Sequence, residues 1–165
     1  MRSWLLSALR KRFQNATFDQ FSADHAHDWL VWEPGSWLPP SRVTMAGSLD
    51  KPQNPSKSGE ALAIALEQSA GTLLLGREGS GPGSNEENEI VLNDGTLSKK
   101  HLQLEFDGYH WKVSDLKSRN GTQLNGLKLG STPEKLSNGA QLKCGQVHLT
   151  FYVPNGMLNR LKQTR

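Results

Sequence analysis

The feature that most constrains this chain is its middle, where short polar residues follow three separate runs of strand-forming apolar residues. Gly76 and Arg77 end the first run, Ser98 and Lys99 follow the second, and Asn120 follows a later one. We expect their three loops to share one rim. A guanidinium, a hydroxyl and an ammonium form the charge-assisted hydrogen bonds that bind phosphate, and an Asn amide can hold a peptide backbone. The residues therefore predict a rim that binds a phosphate and the peptide beside it.

The order of the motifs resembles that of the forkhead-associated (FHA) domain family, a β-sandwich that binds phosphothreonine peptides. The matching positions are Gly76-Arg77, Asn88-x-Ile90, Leu92, Ser98-x-x-His101, Trp111-x-Val113, Asp115-Leu116, Ser118, Asn120-Gly121-Thr122, Asn125-Gly126 and Leu136-x-x-Gly139. The resemblance is clearest over residues 73–153. It implies an all-β fold of two twisted, mostly antiparallel sheets.

The resemblance also implies roles for the rim residues. Arg77, Ser98 and Lys99 would contact the phosphate, and Asn120 would hydrogen-bond the peptide main chain. Arg119 stands where the family often has a small or hydroxylic residue. It would either add a third cation to the site or point into solvent.

A second group of residues is expected to support the site structurally: Gly76, His101, Gly121, Thr122 and Asn125. The resemblance gives His101 an inward-facing role that braces its loop. Ser98 and His101 do not predict a nucleophile and its base, because no Gly-x-Ser-x-Gly turn surrounds the serine and no acid partner stands out. We therefore expect a binding module, not an enzyme, with no cofactor and no metal.

Charge is distributed unevenly along the 165 residues. The net charge of +3 comes from the two ends, whose seven basic residues leave twelve basic and sixteen acidic residues between them. No basic patch with interleaved aromatics is visible, so nucleic acid is not an expected partner. The single cysteine, Cys144, excludes an internal disulfide and is expected to be a buried or turn thiol that acts as a small hydrophobe. An apolar run at residues 4–9 is too short to span a membrane and lacks signal-peptide features, so we expect a cytoplasmic protein.

The chain divides by composition into a basic amphipathic segment at residues 1–27, the sandwich at 28–153 and a loose basic tail at 154–165. Alternation and turn signals predict strands at 29–32, 60–66, 72–77, 90–92, 102–106, 109–113, 127–129 and 147–153, the first of which would open the sandwich. Residues 61–66 would also suit a helical turn, because periodicity alone does not separate the two. Residues 33–59 are rich in Pro and Ser and predict a long loop or linker. Alternatively, residues 28–46 form a separate element.

Two features of the N-terminal segment admit more than one interpretation. The apolar residues of 1–13 have helical spacing, which suits either a short helix on an anionic membrane or partner, or a terminal helix that is docked or frayed. His25 and His27 lie between Asp24 and Asp28, so a metal pair is conceivable on a strand. Because a third strong ligand is missing, a solvated segment is the favoured interpretation.

The expected function is recognition of phosphothreonine on a partner protein, a Ser/Thr kinase target, in a signalling or regulatory complex. The alternative is an adaptor that works without phosphorylation and whose pocket is vestigial or occupied by its own N-terminal segment. Thr17 or Thr44 would then be the residues that fold back when phosphorylated.

Overall fold

The computed structural model describes residues 2–34, 60–67, 71–77 and 88–163. In chain order its strands are β1 (Ser3–Leu5), β2 (Asp28–Trp32), β3 (Leu62–Leu66), β4 (Thr72–Arg77), β5 (Ile90–Leu92), β6 (Leu102–Phe106), β7 (Trp111–Asp115), β8 (Thr122–Leu124), β9 (Leu127–Lys128), β10 (Glu134–Lys135), β11 (Gln141–Cys144) and β12 (Val147–Tyr152). Its helices are α1 (Leu6–Phe13), α2 (Phe18–Asp24) and α3 (Pro154–Lys162).

The strands form two sheets. The larger has the order β1-β3-β2-β12-β11-β8-β9 and the smaller the order β10-β7-β6-β4-β5. Among the described strands, β4 and β5 pair in parallel and the other neighbours pair antiparallel. The prediction of an all-β sandwich of two mostly antiparallel sheets is confirmed.

The core lies between the sheets and is built by alternation along the strands. Leu30 and Ile64 of the larger sheet and Leu75, Leu104 and Trp111 of the smaller are each 0% exposed. Each such side chain contributes about 1.5–3 kcal/mol by leaving water. Cys144 lies in this core, as predicted, and burial raises the pKa of its thiol.

The three helices cover the outer face of the larger sheet. Leu6, Leu9 and Phe13 of α1 are buried in a second apolar cluster with Trp29 and Val31 of β2. Of the two interpretations of residues 1–13, the docked helix is therefore the one observed, and its apolar face is already covered. It begins only at Leu6, however, because residues 3–5 form β1 and not helix. The prediction that residues 29–32 open the sandwich is wrong, because β1 precedes them and pairs with β3.

The C-terminal residues are also docked. The prediction of a loose tail is wrong for residues 154–162, which form α3. Met157, Leu158 and Leu161 of this helix are buried in the second cluster. Arg160 forms an ion pair with Glu33, with 2.7 Å between the guanidinium nitrogen and the carboxylate oxygen. The Glu33 carboxylate also accepts a hydrogen bond from Thr150 Oγ1 at 2.8 Å. Apolar burial and this ion pair together hold the helix against the sheet.

His25 and His27 are buried rather than solvated, so that expectation is wrong. Trp4, Phe21 and Trp29 pack around the two rings. Burial lowers the pKa of His25 to about 4. Within the described residues, no group of three or more His, Cys, Asp or Glu side chains could hold a metal ion.

The long Pro- and Ser-rich segment lies largely outside the described residues, which stop at residue 34 and resume at residue 60. β2 is an internal strand of the larger sheet, between β3 and β12. Residues 28–32 are thus part of the sandwich, not of a separate element. Among the described helices, none is long and apolar enough to cross a membrane.

Candidate functional site

Ser98 joins three loops at one end of the sandwich. It lies between β5 and β6, and its carbonyl oxygen accepts a hydrogen bond of 2.9 Å from the backbone N–H of Arg77, at the end of β4. Its hydroxyl oxygen accepts one of 2.9 Å from the backbone N–H of Arg119, between β7 and β8. The three loops that the sequence singled out therefore meet at one residue. Because a hydroxyl oxygen accepts while its own hydrogen can still donate, Ser98 retains a donor for a ligand.

His101 supports this junction from inside the fold, where it is 0% exposed. Its Nδ1 accepts a hydrogen bond of 3.0 Å from the backbone N–H of Ser98, which leaves the proton on Nε2. Nε2 then donates to the carbonyl oxygen of Gly121 at 3.0 Å. Burial lowers the pKa of His101, so the ring is neutral at pH 7 and ties two loops together.

Gly76 is required by a close backbone approach. A Cβ at this position would lie 1.9 Å from the carbonyl oxygen of Lys99. The same oxygen accepts a hydrogen bond from the side-chain amide of Asn88. Only glycine lets β4 pack directly on the loop that carries Lys99 and Ser98.

Asn120 lies at the surface, and its Nδ2 donates a hydrogen bond of 2.7 Å to the carbonyl oxygen of Thr96. Beside it is a polar depression of about 310 Å³, lined by Thr96, Asn120, Gly121, Gln123, Lys143, Gly145 and Gln146. The sequence indicated Asn120 but gave no role to Thr96. The sequence carries no signal for Thr96 because the atom that contacts Asn120 is a backbone carbonyl oxygen, which every residue has.

Asp115 stabilises the loop that carries Arg119 and Asn120. Its carboxylate accepts hydrogen bonds from the hydroxyls of Ser118 at 2.5 Å and Thr122 at 2.7 Å. Burial raises the pKa of Asp115, but these hydrogen bonds outweigh it and hold the pKa below its ordinary value. Asp115 stood in the motif without an assigned role, and the structure makes it the anchor of the loop.

Gly121 and Asn125 both adopt positive φ, at +77° and +51°, but only Gly121 lies at the rim. Asn125 lies at the far end of β8, where its Oδ1 accepts a hydrogen bond of 2.9 Å from the backbone N–H of Gln141. With Gly126 it forms a turn with positive φ at both residues, as an Asn-Gly pair favours. The structure therefore does not bring Asn125 to the other candidate residues.

The rim carries three basic side chains. Arg77 is partly buried, and Lys99 and Arg119 are exposed. Within the part of the chain that the structure describes, none of the three forms an ion pair. Three cations beside a hydroxyl that can donate suit a phosphate dianion.

Comparisons with known proteins agree with the family resemblance seen in the sequence. A family model described as "Inner membrane component of T3SS, cytoplasmic domain" matches residues 61–155, more than half of the chain. The oxoglutarate dehydrogenase inhibitor of Corynebacterium jeikeium is 33% identical over 91 residues, covering 54% of this chain and 62% of that protein. The FHA domain-containing protein FhaB of Mycolicibacterium smegmatis is 30% identical over 105 residues, covering 63% of this chain and 67% of that protein.

A solved structure is similar over most of the described fold. The FHA domain of an Arabidopsis thaliana hypothetical protein has a TM-score of 0.52 and 27% identity, covering 78% of this chain and 86% of that one. The chain spans less than two thirds of the C. jeikeium inhibitor. The matched residues, the sandwich and the FHA-named relatives agree, and the chain belongs to the forkhead-associated domain family.

Proposed function

We propose that the rim around Ser98 binds phosphothreonine on a partner protein, a target of a Ser/Thr kinase. The observation that carries this proposal is the convergence of Arg77, Ser98 and Arg119. The backbone N–H of Arg77 donates to the Ser98 carbonyl oxygen and that of Arg119 to the Ser98 hydroxyl oxygen, each at 2.9 Å. Lys99 adjoins Ser98 and adds a further exposed cation. The phosphate would lie among Arg77, Ser98 and Lys99.

The peptide main chain would lie against Asn120, whose amide has one donor bound to Thr96 and its other groups available. Arg119 would either contact the ligand or stay in solvent. No bond is made or broken in this function, so the protein acts by recognition and not as an enzyme. The cytoplasmic location expected from the sequence stays a prediction.

The test is binding of a phosphothreonine peptide library beside its unphosphorylated and phosphoserine counterparts. Arg77→Ala should weaken selective binding about 10- to 150-fold, because a hydrogen bond to a charged group is worth about 1.5–3 kcal/mol. Arg12→Ala is the matched control, since Arg12 is exposed on α1, where it forms an ion pair with Asp24 and lies over the Phe13 ring. A folded Arg77→Ala protein that keeps wild-type affinity would refute the proposal.

The adaptor function that does not need phosphorylation predicts binding to the unphosphorylated peptides as well. Thr17 is a poor candidate for a segment that folds back onto the rim, because it is the N-cap of α2 and forms a capping box with Gln20. Thr44 lies outside the described residues. A change in the isolated protein on phosphorylation, together with loss of peptide binding, would favour the self-occupied pocket.

A further inference from the structure

The orientation of the Asn120 amide is set by the group it contacts. Its nitrogen lies 2.7 Å from the carbonyl oxygen of Thr96. A carbonyl oxygen only accepts hydrogen bonds, so the amide nitrogen, not Oδ1, must face Thr96. One N–H and Oδ1 then remain for a ligand. This pair of a donor and an acceptor matches the C=O and N–H of a peptide main chain.

Thr96 is itself held from two sides. Its backbone N–H and its hydroxyl both donate to Asp94 Oδ1, at 2.8 and 2.5 Å. Its hydroxyl oxygen accepts a hydrogen bond of 2.9 Å from the backbone N–H of Gln146, in the turn between β11 and β12. Asp94 is only 2% exposed, so the carboxylate that anchors Thr96 is itself fixed in the fold.

Gly145 in the same turn packs directly on Thr96. A Cβ on Gly145 would lie 2.6 Å from Thr96 Oγ1 and 2.7 Å from the Thr96 carbonyl oxygen, the atom that holds Asn120. Gly145 also has a φ of +59°, which favours glycine. The turn between β11 and β12 thus determines where that oxygen lies, although it contributes no residue to the predicted phosphate rim.

We propose that Thr96 is a positioning residue that orients the Asn120 amide towards the main chain of a bound peptide. Asp94 and Gly145 hold Thr96 in the position that this requires. The inference rests on the proposed function, but it concerns the peptide contact and not the phosphate contact. None of the hydrogen bonds that hold Thr96 involves Arg77, Ser98 or Lys99.

The first test is Thr96→Val, which replaces the hydroxyl by a methyl group and keeps the carbonyl. Loss of the two hydrogen bonds that the hydroxyl makes, to Asp94 and from Gln146, should weaken phosphothreonine-peptide binding about 3- to 10-fold. Binding of O-phosphothreonine alone, followed by NMR titration, should be unchanged, because the phosphate contacts are intact. Thr132→Val, at an exposed loop residue, is the matched control.

A double-mutant cycle separates positioning from a general structural effect. In an Asn120→Ala background, Thr96→Val should cause no further loss of peptide affinity. A loss that persists in that background, or an equal loss for O-phosphothreonine, would overturn the inference. If Thr96→Val does not fold, Gly145→Ala is the second variant, because its Cβ would displace the Thr96 carbonyl oxygen. Its affinities for the phosphothreonine peptide and for O-phosphothreonine are then compared in the same way.

The side-chain amide resonances of Asn120 give a readout that needs no ligand. Thr96→Val should move them and speed their exchange with water, whereas Thr132→Val should not. If the wild-type protein binds no phosphopeptide, the proposed function fails, and these resonances still decide whether Thr96 positions Asn120. Unchanged resonances in folded Thr96→Val would overturn the positioning role.

Discussion

Substitution of Leu161 by Ala tests whether the C-terminal helix is part of the folded domain. Leu161 is 0% exposed and packs in the cluster that α1, α3 and the outer face of the larger sheet share. Removal of a fully buried leucine side chain loses its transfer free energy and leaves a cavity, at a cost of about 2–5 kcal/mol. This is a large part of the roughly 5–15 kcal/mol that stabilises a typical domain.

The assay is urea or thermal unfolding followed by circular dichroism. A loss of about 3 kcal/mol corresponds to a fall in melting temperature of roughly 6–12 °C for a chain of this size. Asn159→Ala is the matched control, since Asn159 is exposed on the same helix. If Leu161→Ala unfolds at the same temperature as this control, α3 is not docked and the loose tail expected from the sequence is correct.

Two further predictions concern acid stability and the packing of the rim. Burial lowers the pKa of His25 to about 4, below its ordinary value of 6.5, so the unfolded chain takes up its proton first. The contribution of His25 to the free energy of unfolding should be fully present above pH 6.5 and fall by up to about 1.4 kcal/mol per pH unit towards pH 4. Urea unfolding of His25→Gln across this range should show a shallower fall in the free energy of unfolding with decreasing pH. An equal slope in the two proteins would contradict the assignment to His25. Gly76→Ala should cost about 1–3 kcal/mol in the same unfolding assay and also abolish phosphopeptide binding, because its Cβ would lie 1.9 Å from the Lys99 carbonyl oxygen. Gly130→Ala, where a Cβ meets nothing within 4 Å, should be silent in both assays.

The sandwich was predictable because its strands and turns are encoded locally. Alternation of apolar residues over 102–106 and 109–113 marks two half-buried strands, and Asp107-Gly108 between them marks a hairpin. The structure has β6 at the first position and β7 two residues later than predicted, with Gly108 at a φ of +98°. These preferences depend on residues close in sequence, so the sequence alone carries them.

The candidate rim was indicated for a related reason. Arg77, Ser98 and Asn120 each follow a strand whose end could be located from its own pattern. Their order matched that of a known family, which supplied the expectation that the loops converge. Thr96 holds Asn120 through a backbone oxygen, which leaves no sequence pattern. Asp115 stood in the motif, but its role as the anchor of Ser118 and Thr122 became visible only in the fold.

The docking of the helical layer was decided by tertiary structure. Residues 154–162 have few apolar positions, and nothing near them in sequence shows what would cover those positions. The partner of Arg160 is Glu33, which is 127 residues away. His25 and His27 are likewise polar by sequence and are buried because α1, α2 and β2 enclose them. Local propensity determined the strands and turns of this protein, whereas burial between distant segments determined which polar and terminal residues belong to its core.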